Sequence, residues 1–119
     1  MRRLSFAVAI TGVVAVVAAA TAFAAAPNIA RISAPASGLR YTQKIVHAHA
    51  GRIKIVFLNR STLRHDVNVE QGETELGKTR TIARGTASVY VTLKPGKYNF
   101  YCSVPGHEDA GMHGTLVVT

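Results

Sequence analysis

In three segments between residues 52 and 102, apolar residues recur at every second position, and this period points to a sheet architecture. In RIKIVFL (52–58), Ile53, Ile55 and Phe57 share one face, with Arg52 and Lys54 on the other. ASVYVTL (87–93) sets Val89, Val91 and Leu93 against Ser88, Tyr90 and Thr92, and YNFYC (98–102) groups Tyr98, Phe100 and Cys102. Such alternation in β-branched and aromatic residues, punctuated by the turn Pro95–Gly96, predicts half-buried strands. Further strands are predicted over 40–50, over 65–70 and in the closing GTLVVT. Residues 70–80 (EQGETELGKTR) are polar and read as a loop, with a short helical turn as the alternative. Residues 25–38, a mixture of Ala, Pro and Ser, read as a linker or a first edge strand, which leaves 39–119 as the domain. No segment after the N-terminal run carries a convincing helical period. The expected fold is all-β, a small antiparallel sandwich or barrel.

The N-terminus has a different character. Met1-Arg2-Arg3 precedes a run from Leu4 to Ala26 without a charged residue, and Ala22-Phe23-Ala24 fits a small-x-small cleavage rule. Residues 1–24 are therefore expected to be a signal peptide, with an uncleaved anchor over 4–26 as the alternative. The alanine-rich run is only weakly apolar, which favours cleavage. Either outcome exports the domain, to a periplasmic or other extracytoplasmic location. Without Arg2 and Arg3, the 14 lysines and arginines become 12 against 6 acids, a net charge of +6 with neutral histidines. That balance suits an acidic partner or a solvated basic surface. The basic residues are scattered singly, and export argues against nucleic acid.

An exported small domain ordinarily pairs its cysteines, yet Cys102 is the only one here. It could be an intermolecular bridge, a buried inert thiol, a nucleophile or a metal ligand. Its context narrows the choice. In YCSVPGHEDAGMHG (101–114), Pro105, Gly106 and Gly111 give tight turns, and the loop 103–112 brings a thiolate, the imidazole of His107 and the thioether of Met112 toward one point. Soft sulfur beside imidazole suits copper, and a His2Cys plane with a weak axial Met is the electron-transfer arrangement. Such a plane needs a second histidine. His65, in NRSTLRHDV, follows a polar turn upstream.

The pattern N-x-S-x-x-x-H-D-V (59–67), followed by Y-x-F-Y-C-S-x-P-G-H-x-x-x-G-M-x-G-T-L-V-V (98–118), resembles the cupredoxins, the small blue copper proteins that include plastocyanin, azurin and rusticyanin. The resemblance spans residues 39–119. It implies a Greek-key β-sandwich and one type 1 copper, cycling between Cu(I) and Cu(II), held by His65, Cys102, His107 and Met112. It also implies a monomeric electron carrier that meets a redox donor and acceptor through the surface around His107, where Val104, Pro105, Ala110 and Gly111 form a small apolar rim. One position departs from the family pattern. The residue after the first ligand histidine is often Asn or Ser, and here it is Asp66. Its backbone N–H is expected to point at the thiolate and its carboxylate to bond across to Ser103, with a charge that favours Cu(II).

Other functions fit less well. A Cys–His nucleophile leaves Met112 without a role, a copper oxidase or nitrite reductase needs a second copper and more chain, and a binuclear purple centre needs two cysteines. A copper-delivery protein is the remaining alternative to the electron carrier, although delivery favours Met and His clusters suited to exchange. His47 and His49 share a strand face and read as solvated, and His113 is expected to turn away from the metal.

Overall fold

A computed structural model describes Ser5, residues 7–21 and residues 26–119. The basic start and the expected cleavage motif Ala22-Phe23-Ala24 lie outside the described residues. Residues 7–21 carry no regular secondary structure. Among the described residues no helix is long and apolar enough to cross a membrane.

Eight strands follow in order: β1 (Ile29–Ala34), β2 (Ile45–Ala48), β3 (Gly51–Asn59), β4 (Asn68–Gln71), β5 (Thr74–Lys78), β6 (Gly85–Leu93), β7 (Gly96–Tyr101) and β8 (His113–Val118). They form a three-stranded sheet, β1-β3-β6, and a five-stranded sheet, β2-β8-β7-β4-β5. Both sheets are mixed, because β1 runs parallel to β3 and β2 parallel to β8 while the other pairs are antiparallel. The two sheets face each other as a sandwich and do not close into a barrel, so the sandwich half of the expectation holds.

The alternation read from the sequence sets the layers. Ile53, Ile55 and Phe57 of β3 are wholly buried, as are Phe100 and Leu116 from the facing sheet. Ile32, Tyr41, Val67, Val69 and Met112 join the same core. The opposite face of β3 and β6 is solvated, and there Arg52 stacks on the Tyr90 ring at 3.9 Å. Each large apolar side chain removed from water contributes about 1.5–3 kcal/mol, which makes this inter-sheet layer the main source of stability.

Residues 70–80 depart from the expected loop, because β4 and β5 form a hairpin through Gly72, whose φ of 60° supplies the left-handed turn. The edge strand β5 is exposed along nearly its whole length, so it carries no apolar alternation to read. The strand expected over 65–70 begins at Asn68, and His65 instead makes an isolated bridge to Ile82. At Gly114, in β8, a Cβ would lie 2.3 Å from the Phe100 ring and 2.7 Å from the Lys44 carbonyl. Gly114→Ala is therefore expected to lower stability by about 1–3 kcal/mol through overpacking, measurable as a shift in the denaturant midpoint. An unchanged midpoint would show that the ring and the backbone yield freely.

Candidate metal centre

One end of the sandwich gathers the chemistry. The ligand-capable atoms of His65, Cys102 and His107 all lie within 4.8 Å of one another, the single group of three or more such residues among those described. Two separate segments of the chain bring them there. Cys102 follows directly on β7, His107 lies in the turn between β7 and β8, and His65 is fixed by its bridge to Ile82.

The loop 103–112 is closed by its own backbone. The Cys102 N–H donates to the Met112 carbonyl at 3.0 Å, and the Met112 N–H donates to the His107 carbonyl at 3.0 Å. Met112 is wholly buried. The upstream loop is organised by Asn59, whose Nδ2 donates to the Leu63 and Ile82 carbonyls and whose Oδ1 accepts from the Ser61 N–H. Asn59 and Ser61 therefore hold the turn that delivers His65.

The donor atoms form a compact triangle. His65 Nδ1 and His107 Nδ1 are 3.1 Å apart, and Cys102 Sγ lies 3.6 Å from His107 Nδ1 and 4.0 Å from His65 Nδ1. These separations fit one ion bonded at about 2.0 Å to nitrogen and about 2.3 Å to sulfur. His65 Nε2 is buried without a protein partner, so the ring's polar contacts all run through Nδ1, on the cluster side. Burial, aided by His107, holds the His65 imidazole below its ordinary pKa despite the opposing pull of Asp66. A neutral ring with a free lone pair suits a ligand. Burial pushes the Cys102 thiol up, only partly offset by the backbone N–H groups of Asp66 and Val104 that point at its sulfur, and the Asp66 charge adds to the rise. Such a thiol is a poor nucleophile at neutral pH, and a cation is what would favour its thiolate.

Asp66 ties the two ligand segments together. Its Oδ1 accepts from the Ser103 N–H at 2.8 Å, and its Oδ2 accepts from the Ser103 hydroxyl at 2.7 Å and the Thr81 hydroxyl at 2.8 Å. Lys78 Nζ lies 3.7 Å away, the only ion pair among the described residues. Burial would raise this carboxyl, but the Ser103 and Thr81 hydrogen bonds and Lys78 hold it below the usual carboxylate value. The bond to Ser103 follows the sequence reading. Tyr41, Lys78 and Thr81 were not singled out by it. The Tyr41 hydroxyl donates to the Asp66 carbonyl, and its ring packs on Phe57 and Phe100 with centroids 6.1 and 5.3 Å away. Tyr41 lies outside the motif, and Lys78 and Thr81 sit in or beside the stretch read as loop, so no local signal marked them.

The cupredoxin-like domain family matches residues 7–118. The chain belongs to that family. This cupredoxin is similar in structure to the sodium-dithionite-reduced auracyanin of Roseiflexus castenholzii, with a TM-score of 0.71 and 21% identity over 81% of this chain and 99% of that one. Auracyanin A of Chloroflexus aurantiacus, a "blue" copper protein, gives a TM-score of 0.69 at 18% identity, over 79% of this chain and 100% of that one. Reduced rusticyanin gives 0.63 at 17% identity, with 82% of each chain covered. At these identities the likeness establishes the fold. Among curated proteins none matches the chain.

The other histidines of this cupredoxin stand apart from the centre. His113 is exposed at the start of β8, and His47 and His49 are exposed on and just beyond β2. His107 is partly exposed while His65 is fully buried, so the His107 ring is the edge of the cluster nearest solvent.

Proposed function

We propose that this cupredoxin is an extracytoplasmic electron carrier holding one copper ion that cycles between Cu(I) and Cu(II). The observation that carries the reading is the 3.1, 3.6 and 4.0 Å triangle of two imidazole nitrogens and one cysteine sulfur, with Met112 buried at the end of the same loop. His65, Cys102, His107 and Met112 would hold the metal, two imidazoles, a thiolate and a thioether being the blue-copper donor set. Bound there, copper supplies a one-electron couple. The chain's part is to fix the donors before the metal arrives. The Asp66–Ser103 bonds lock the His65 and Cys102 segments together, the loop bonds fix Met112, and burial excludes water. A rigid donor set changes little between the two oxidation states, which favours fast transfer. A copper-delivery role fits less well, because a buried thiolate locked by this many bonds resists exchange.

The test is the visible spectrum. Copper loading should produce an intense thiolate-to-copper absorption that disappears on reduction and returns on reoxidation. A colourless loaded protein with Cys102 open to thiol reagents would overturn the reading.

The partner we infer is a redox protein with an acidic face. Arg60, Arg64, Arg80 and Arg84 are all exposed on the two loops that bracket His65, and none is in an ion pair among the described residues. Leu63, 51% exposed, adds an apolar contact beside them. Glu108 and Asp109 sit next to His107, so the basic residues farther out set the long-range attraction and the loop itself decides the final pose. Electron transfer to an acidic partner should slow as ionic strength rises, and Arg64→Glu with Arg80→Glu should slow it further at low salt. A flat salt profile in stopped-flow mixing would remove these arginines from the docking surface.

Export is supported by the N-terminal run. Val8, Ile10, Val13, Val14, Val16 and Val17 are 83–90% exposed. A soluble domain rarely retains such a stretch in water, so removal by cleavage or insertion into a membrane accounts for it.

A further inference from the structure

At the opposite end of the sandwich, His47 and His49 line one cavity of about 240 Å³. His47 pairs with Val117 near the end of β8, whereas Met112 immediately precedes the first residue of that strand. At about 3.3 Å per residue, the two ends are roughly 15 Å apart along the strand, so the cavity is separate from the cysteine-containing centre. We propose that His47 and His49 form a second metal site, for a borderline divalent cation such as Zn(II) or Cu(II).

Four observations carry it. Residues two apart along an extended chain project to the same side, about 6.7 Å between Cα atoms, close enough for two imidazoles to converge on one ion at about 2.0–2.1 Å each. Both side chains are exposed, so neither must leave a packed position to bind. The backbone that carries His49 lies beyond the end of β2, yet it is held on both sides. The Asn28 Oδ1 accepts from the His49 N–H at 3.1 Å, and the Asn28 Nδ2 donates to the His49 carbonyl at 2.6 Å. Finally, among the described residues no lysine or arginine lines this cavity, in a chain of net charge +8. A cation bound there meets no like charge among the lining residues. Imidazole is a good ligand for zinc and copper, and solvent would complete the coordination. With two imidazoles and no thiolate, the site binds more weakly and more reversibly than the centre at the other end.

The test is calorimetric titration of the full-length protein, loaded with a single equivalent of copper, with Zn(II) alone, while the visible band reports the first site. One further equivalent of Zn(II) is expected with the band unchanged. His47→Ala and His49→Ala should each lose that equivalent and keep the band, while His113→Ala should keep both. Absence of further binding in the parent protein, or binding that survives both His47→Ala and His49→Ala, overturns the proposal. Failure of the visible band would instead count against the electron-carrier reading. The second site would then be counted with Zn(II) on the copper-free protein, where two equivalents should fall to one in His47→Ala.

Discussion

Cys102→Ser is expected to abolish the intense visible absorption of the copper-loaded protein and to weaken copper binding by about 100-fold or more. The band depends on charge transfer from a thiolate, and a serine hydroxyl neither ionises at neutral pH nor offers soft sulfur. The substitution removes chemistry with little change in shape, since Cys102 is 1% exposed and the serine oxygen occupies slightly less room. The fold should survive, and far-ultraviolet circular dichroism checks that it does. His65→Ala should likewise remove the band, because no other histidine lies within reach of the cluster. His47→Ala and His49→Ala should leave it intact. A Cys102→Ser protein that retains the band would eliminate the thiolate as a ligand.

Asp66→Asn is expected to combine a large loss of stability with a rise in reduction potential. The carboxylate accepts three hydrogen bonds of 2.7–2.8 Å while 0% exposed. An amide has one acceptor oxygen, so its NH2 group must face a donor or leave one unpaired. Bonds to a charged acceptor are worth about 1.5–3 kcal/mol each, and the net cost should reach about 3 kcal/mol once the loss of a buried charge is offset. The dependence on pH has a definite sign. The folded carboxyl titrates below its ordinary value, so its contribution is present above the unfolded value of about 3.9 and is lost as pH falls through the folded value. The stability gap between parent and variant should therefore be full near neutrality and shrink below about pH 4, as denaturant midpoints at several pH values would reveal. Removing a negative charge beside the metal disfavours the more highly charged Cu(II), which should raise the potential by on the order of 50 mV. Equal stability and equal potential in the two proteins would mean that Asp66 only fills space.

The strands were legible wherever one face is dry and the other wet. Ile53, Ile55 and Phe57 in β3, and Tyr98 and Phe100 in β7, announce themselves because a strand turns alternate side chains to opposite faces. The hairpin partner β5 was not legible, because an exposed edge strand leaves no apolar period, and a polar stretch with a glycine reads equally as loop. The centre divides in the same way. Cys102, His107 and Met112 are close in sequence, so one loop declares their convergence, and His65 emerged from the upstream motif that carries the family resemblance.

What the sequence by itself determined is therefore local: the strand period, the lone thiol, the donor types in one loop and the net charge, each a property of neighbouring residues. The tertiary structure decided what depends on distant segments meeting. It set the parallel pairings of β1 with β3 and β2 with β8, the choice of an open sandwich over a barrel, and the 3.1 Å approach of two imidazoles that lie 42 residues apart. It also gathered Tyr41, Lys78 and Thr81 around Asp66. A buried carboxylate collects its partners from whichever segments packing brings near, and hydrogen bonds across such separations leave no periodic trace along the chain.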